Sequence, residues 1–159
     1  SEGRRIELLD VIIHEIGHVL GIGTLWSSLG LIQGSGSDDP LFIGINAMRE
    51  YGALKSQTPT PVPIANTGGP GTREGHWREA IFDDELMTGF DDPGRNALSR
   101  LTIASVQDLG YIVNYQVADT YFLPFAILSS IEVSAKSHRR CNVSAPPIEI
   151  LPAANLIAD

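Results

Sequence analysis

The sequence predicts an α+β fold with two principal helices, a few short strands and much irregular structure. Three observations carry that prediction: an apolar repeat at helical spacing near the start, a second capped helical segment beginning at Arg100, and a long stretch of Gly, Pro, Ser, Thr and Asp between them. In the first, Ile6, Leu9, Ile13, Ile16 and Leu20 recur at helical spacing, and Leu8, Ile12 and Val19 widen the stripe, which predicts a largely buried helix. Gly21 and Gly23 stand where that helix would stop, because glycine enters the left-handed C-terminal turn without a steric penalty. Gly17, inside the helix, costs about 1 kcal/mol relative to alanine, so its presence predicts another piece of backbone packed close against it.

From 35 to 75 the chain reads as loop, interrupted by one short helical pattern over 46–54. Its second half, 58–75, contains Pro59, Pro61, Pro63 and Pro70 and predicts an extended, turn-rich path. The second principal helix is expected over 100–109, with Ser99 as its N-cap and Gly110 as its stop. Residues 111–117 read as a strand, and 122–133 and 148–151 hold apolar and β-branched runs around prolines. No internal repeat is evident.

A chain of 159 residues with 43% hydrophobic residues can bury one real core. With 11 basic against 19 acidic residues and a net charge of −8, binding to a nucleic-acid backbone is disfavoured as the main activity. No apolar run reaches the roughly 18 residues that a transmembrane helix needs, and the start, Ser1-Glu2-Gly3-Arg4-Arg5, has no secretory-signal pattern. The single Cys141 excludes an intramolecular disulfide framework and a cysteine-rich zinc site. Asp38-Asp39, Asp83-Asp84 and Asp91-Asp92 read as solvated loop carboxylates rather than calcium ligands, and Asn142-Val143-Ser144 fits a glycosylation sequon.

The chemistry lies in the first helix. His14-Glu15-Ile16-Gly17-His18-Val19-Leu20-Gly21 reads HExxHxxG, and two histidines four residues apart on a helix project from one face, about 6 Å apart, close enough to hold one metal ion. Glu15 lies between them, placed to work on a metal-bound water. The longer version of this pattern has a third histidine where this chain has Thr24, so the third ligand must come from elsewhere. Of the four histidines the remaining two are His76 and His138. His76 is the better candidate because it follows a flexible Gly-Pro-Gly turn, whereas His138 sits beside Arg139 and Arg140, where a dication is unfavourable. Three neutral imidazoles would leave zinc its full double charge, suited to polarising a carbonyl, with a fourth position open for water. Glu15 would take that water's proton and pass it to the leaving amine. Met87 on its own reads as core.

These residues resemble the leishmanolysin-like zinc metallopeptidases, a branch of the metzincins in which a long insertion separates HExxHxxG from the third zinc histidine. The similarity runs through residues 14–26, then Asn66-Thr67-Gly68-Gly69-Pro70-Gly71-Thr72, His76-Trp77-Arg78-Glu79 and Glu85-Leu86-Met87-Thr88-Gly89, and on to Leu98-Ser99-Arg100-Leu101-Thr102 and Asp108-Leu109-Gly110-Tyr111. It implies zinc ligands at His14, His18 and His76, with Glu15 as general base and acid. It also implies a Met-turn that places Met87 under the metal as an apolar floor, and a sharp turn at Gly21 after the active-site helix. The implied activity is that of an endopeptidase acting on polypeptides, in an extracellular or cell-envelope setting. The disulfide pattern of the protozoan and animal members is absent, which favours a bacterial-type relative.

The resemblance further implies that residues 1–119 form the metal-bearing lower subdomain of a metzincin-like domain, followed by a strand-containing tail of unknown role at 120–159. Because the residues before His14 belong to the helix itself, the upper subdomain with its substrate-holding edge strand is expected to be missing. Two classes of function follow: a zinc endopeptidase, and a non-catalytic zinc-stabilised binding or structural module.

Overall fold

The computed structural model describes residues 2–91, 94–124 and 139–140. Helix α1 spans Glu2–Leu20, and Gly21, at φ +116°, turns the chain away immediately afterwards. The expectation of a largely buried helix does not hold. Asp10, His14, Gly17 and His18 face the body of the molecule, while Leu8, Leu9, Ile12, Ile16 and Val19 are exposed, Val19 to 79%. The buried stripe is therefore centred on a different face from the apolar one, and the two overlap at Ile13 and Leu20. The rest of the described chain packs against the face that carries the histidines and reaches only the edge of the apolar one, where Ile13 and Leu20 are half-buried. Gly17 is also tight for a different reason from the one expected: a Cβ there would meet the Met87 side chain, Sδ at 2.9 Å, rather than backbone.

After α1, strands β1 (Ile32–Gln33), β2 (Leu41–Phe42) and β3 (Val62–Pro63) form a small antiparallel sheet in that order, with Ile32 opposite Phe42 and Phe42 opposite Val62. Helix α2, Ile45–Leu54, leaves β2 and packs on α4, Arg100–Asp108. Its own cap position is Gly44, which offers no side chain. The Asp108 carboxylate of α4 accepts instead from the backbone N–H groups of Asn46 (3.0 Å) and Ala47 (2.9 Å). A Cβ at Gly44 would stand 2.3 Å from Asp108 Oδ2, so the cap requires glycine there. At the start of α4, Ser99 Oγ accepts from Thr102 N, and Gly110, at φ +101°, ends the helical path.

The short helix α3 (Glu79–Phe82) follows β3, and β4 (Phe90–Asp91) pairs antiparallel with β5 (Arg139–Arg140). The fold is α+β, with four α-helices and the three-stranded antiparallel sheet among the described residues.

Residues 111–117 are not a strand. Residues 111–114 are irregular and Tyr115–Val117 form a 3-10 turn. No described segment lies alongside to pair with them. Local bonds win instead: Asn114 Oδ1 accepts from Gln116 N at 3.0 Å, and the Tyr115 hydroxyl donates to Gln107 of α4 at 2.7 Å. The apolar run expected from 122 is irregular over 122–124 and otherwise lies outside the described residues, as do 148–151, Cys141 and Asn142.

The core is aromatic. Trp26 packs on Phe42 and Trp77 with ring centroids 4.8 Å apart in each case, and Phe42 meets Trp77 edge-on at 5.6 Å. Phe82, Ile64, Val62 and Leu101, all fully buried, belong to the same cluster. It lies directly behind the segment that carries His76.

Candidate metal centre

His14 and His18 come from successive turns of α1, and the chain brings His76 to them from a distance by a backbone contact. Gly23, at φ +71°, lies so close to Gly75 that a Cβ on it would be 2.0 Å from the Gly75 carbonyl oxygen. Glycine at 23 thus lets the exit of the helix touch the loop that delivers the third histidine. His76 is then stitched in place. Its carbonyl accepts from Ala65 N (2.9 Å), and the next residue, Trp77, donates its backbone N–H to Met87 O (2.9 Å) and its indole N–H to Thr102 Oγ1 (2.8 Å).

The three imidazoles are buried and their Nε2 atoms converge, at 2.9 Å for His14–His18, 3.1 Å for His18–His76 and 3.2 Å for His14–His76. Each Nδ1 faces a backbone carbonyl: Leu86 O at 2.7 Å from His14, Ile22 O at 2.9 Å from His18 and Thr72 O at 3.1 Å from His76. A carbonyl can only accept, so every Nδ1 carries the proton and every Nε2 presents a lone pair. Three lone pairs about 3 Å apart cannot hydrogen-bond with one another; they repel, and only a cation among them makes the arrangement favourable.

Added protons are disfavoured. Burial lowers the pKa of His14 and His18, and burial together with the neighbouring imidazoles lowers His76 to about 3. The residues therefore fit a metal ion with nitrogen ligands, and they are the group among the described residues that could hold one. The backbone carbonyls on the Nδ1 atoms orient the rings in the way outer partners of metal-bound histidines do.

The other predicted positions fall around this trio. Glu15 is exposed on α1 between the two histidines in sequence, and its charge offsets a small part of the lowering that burial imposes on His14 and His18. Met87 is buried beneath α1 against Gly17. Gly21 makes the turn that folds Ile22 O back onto His18. Thr24, at the position of the missing histidine, closes the end of the helix by donating its hydroxyl to His18 O at 2.9 Å. His138 lies outside the described residues. Of the acidic pairs, Asp39 forms an ion pair with Arg78 at 2.7 Å.

Reasoning from sequence missed Glu85. It is fully buried, and its Oε1 accepts from Ser99 Oγ (2.5 Å), Thr102 Oγ1 (2.5 Å) and Ser99 N (3.3 Å), while Oε2 accepts from Met87 N at 2.6 Å. Burial raises its pKa above the ordinary carboxylate range, and these donors offset part of that rise. Its position two residues before Met87 was legible; its partners, fourteen and seventeen residues on, were not.

Comparison with known proteins points the same way as the geometry. The sequence profile of the leishmanolysin peptidases matches residues 4–147. A leishmanolysin homolog of Crithidia fasciculata is 29% identical over 125 residues, an alignment that covers 71% of this chain and 18% of that protein. The chain thus spans a small part of the length of that relative. No solved structure matches.

Proposed function

The chain belongs to the leishmanolysin family of metallopeptidases, and on that premise we propose that it is the metal-bearing part of a zinc endopeptidase, with His14, His18 and His76 as ligands and Glu15 as general base and acid. The observation that carries this reading is the trio of Nε2 lone pairs, fixed by three carbonyls on Nδ1 and about 3 Å apart.

Zinc held there would supply a Lewis acid that polarises a carbonyl and lowers the pKa of a coordinated water towards about 7. The protein's own residues supply the rest. Glu15, exposed beside the histidine pair, takes a proton from water on the open side of the site and returns it to the departing amine nitrogen. The buried rings remain neutral and so keep their lone pairs available. Met87, packed on Gly17, forms an apolar floor that excludes water from below, in the role of a Met-turn. The substrate is a polypeptide, met in an extracellular or cell-envelope setting. No helix among the described residues is long and apolar enough to cross a membrane.

The test is cleavage of casein or a fluorogenic peptide by the zinc-loaded chain. Chelator should abolish cleavage, and Glu15→Ala should lower it by about 10²–10⁴-fold while zinc content stays at one equivalent. Protein purified without zinc that also fails to take it up would overturn the reading. Bound zinc with no cleavage at any pH would replace it with a zinc-stabilised, non-catalytic module.

A further inference from the structure

A buried carboxylate near the metal centre has no role in the reading above. Glu85 is fully buried and forms none of the ion pairs among the described residues. An unpaired buried charge costs several kcal/mol, so its retention needs a reason. Its neighbours are rich in donors. Thr102 Oγ1 already accepts from the Trp77 indole, and Ser99 Oγ already accepts from Thr102 N. Both hydroxyls stand 2.5 Å from Oε1, and two backbone N–H groups, which can only donate, point at the carboxyl as well. One backbone N–H on each oxygen and two hydroxyls on Oε1 form a donor set that suits the carboxylate and opposes the burial that raises its pKa.

The bond to Met87 N is the informative one. Met87 N–H and Leu86 C=O are the two ends of a single peptide group. The N–H donates to Glu85 Oε2 at 2.6 Å, and the C=O accepts from His14 Nδ1 at 2.7 Å. A carboxylate on the N–H end of a peptide pushes electron density to its oxygen, which strengthens the bond that oxygen accepts and makes the imidazole beyond it a better electron donor. The carbonyls serving His18 and His76, Ile22 O and Thr72 O, belong to peptides whose N–H groups, on Gly23 and Arg73, do not donate to a buried carboxylate; Arg73 N donates to Gly69 O.

We propose that Glu85 is a positioning residue for His14: an anionic anchor that acts through the Leu86–Met87 peptide to orient and polarise this ring, and not the other two, towards the metal. The carboxylate has in return a long-range positive partner in the ion that the three neutral imidazoles would hold. This inference rests on the metal-site reading, so its test separates the two.

The experiment uses the full chain, labelled with ¹⁵N and loaded with zinc, and follows the three imidazole Nδ1–H resonances by NMR alongside zinc affinity measured by chelator competition. Glu85→Gln keeps an oxygen for Met87 N and removes the charge. The His14 resonance should move upfield while those of His18 and His76 stay in place, and zinc affinity should fall by about 10–100-fold. Ser99→Ala provides the opposite arm, and also answers the question if Glu85→Gln does not fold. Removing one donor from Oε1 leaves more charge on Oε2, so the His14 resonance should move downfield. Three resonances moving together would reveal general loosening and overturn the proposal, and so would a His14 resonance that does not move. A parent protein that binds no zinc overturns the metal-site reading and this inference with it. A parent that binds zinc, with His14 indifferent to residue 85, overturns this inference alone.

Discussion

Helix α1 and the segment from His76 to Thr88 share one site and are held in opposite ways. The helix brings two imidazoles and Glu15 on a rod with one apolar side open to solvent, and its buried side is polar. The segment brings one imidazole, and His76, Trp77, Phe82, Glu85, Leu86, Met87 and Thr88 are all buried; Trp77 and Glu85 are bonded to α4, and Trp77 packs on the aromatic core. The difference teaches that chemistry and stability are divided between the two. The segment is the wall against which α1 is positioned, and α1 can be altered over much of its surface without disturbing that wall.

The largest effect that would sharpen this contrast is in the wall. Trp77→Ala should lower the unfolding free energy of the metal-free protein by about 3–5 kcal/mol, because a fully buried indole leaves a cavity and an unserved Thr102 hydroxyl. Urea denaturation measures it, and a loss below about 1 kcal/mol would break the division. The seam between the regions comes next. Gly23→Ala drives a Cβ into the Gly75 carbonyl, at a φ that strains any side chain, and should shift His76 enough to cost about 10²-fold in peptide cleavage.

Acid produces a graded effect on the same seam. In the unfolded chain the imidazoles protonate near the ordinary value of 6.5, whereas in the folded protein burial lowers all three and brings His76 to about 3. Between those values the unfolded state binds more protons, so the stability of the metal-free protein is greatest above about 6.5 and falls as pH drops towards 3. Thermal melts across that range, with chelator present, should show the decline; a flat profile would contradict the burial of the trio. The smallest effect belongs to the open face. Val19→Ser should change the stability of this chain by no more than about 0.5 kcal/mol.

What could be read from the sequence divides along the same line. The periodicity of α1, α2 and α4, the stop of α1 and both ends of α4 were legible because Gly21, Ser99 and Gly110 act within a few residues of themselves, whereas the cap of α2 comes from Asp108 on another helix. The histidine trio was legible because a four-residue spacing and a short supply of histidines leave few choices. The burial of α1 was not, since an apolar stripe says only that something could cover it, and here the covered face is the one that carries the site. Glu85 was hidden for a related reason: its meaning lies in hydroxyls on another element. Residues 111–117 have the composition of a strand, but a strand exists only beside a partner, and Asn114 and Tyr115 found nearer ones.

The contact between Gly23 and Gly75 has one more consequence. It pins together the two ends of the stretch that carries the small sheet and α2, so the ligand at His76 is set by the pin together with Ala65, Thr72 and Phe42, which touch His76 or Trp77 from within that stretch. Closure entropy grows only with the logarithm of loop length, about 0.6 kcal/mol for each doubling. The exposed turn at 55–59, which bonds neither His76 nor Trp77, can therefore lengthen or shorten while the third ligand stays in place, which makes it the part of this stretch most open to evolutionary and engineered variation.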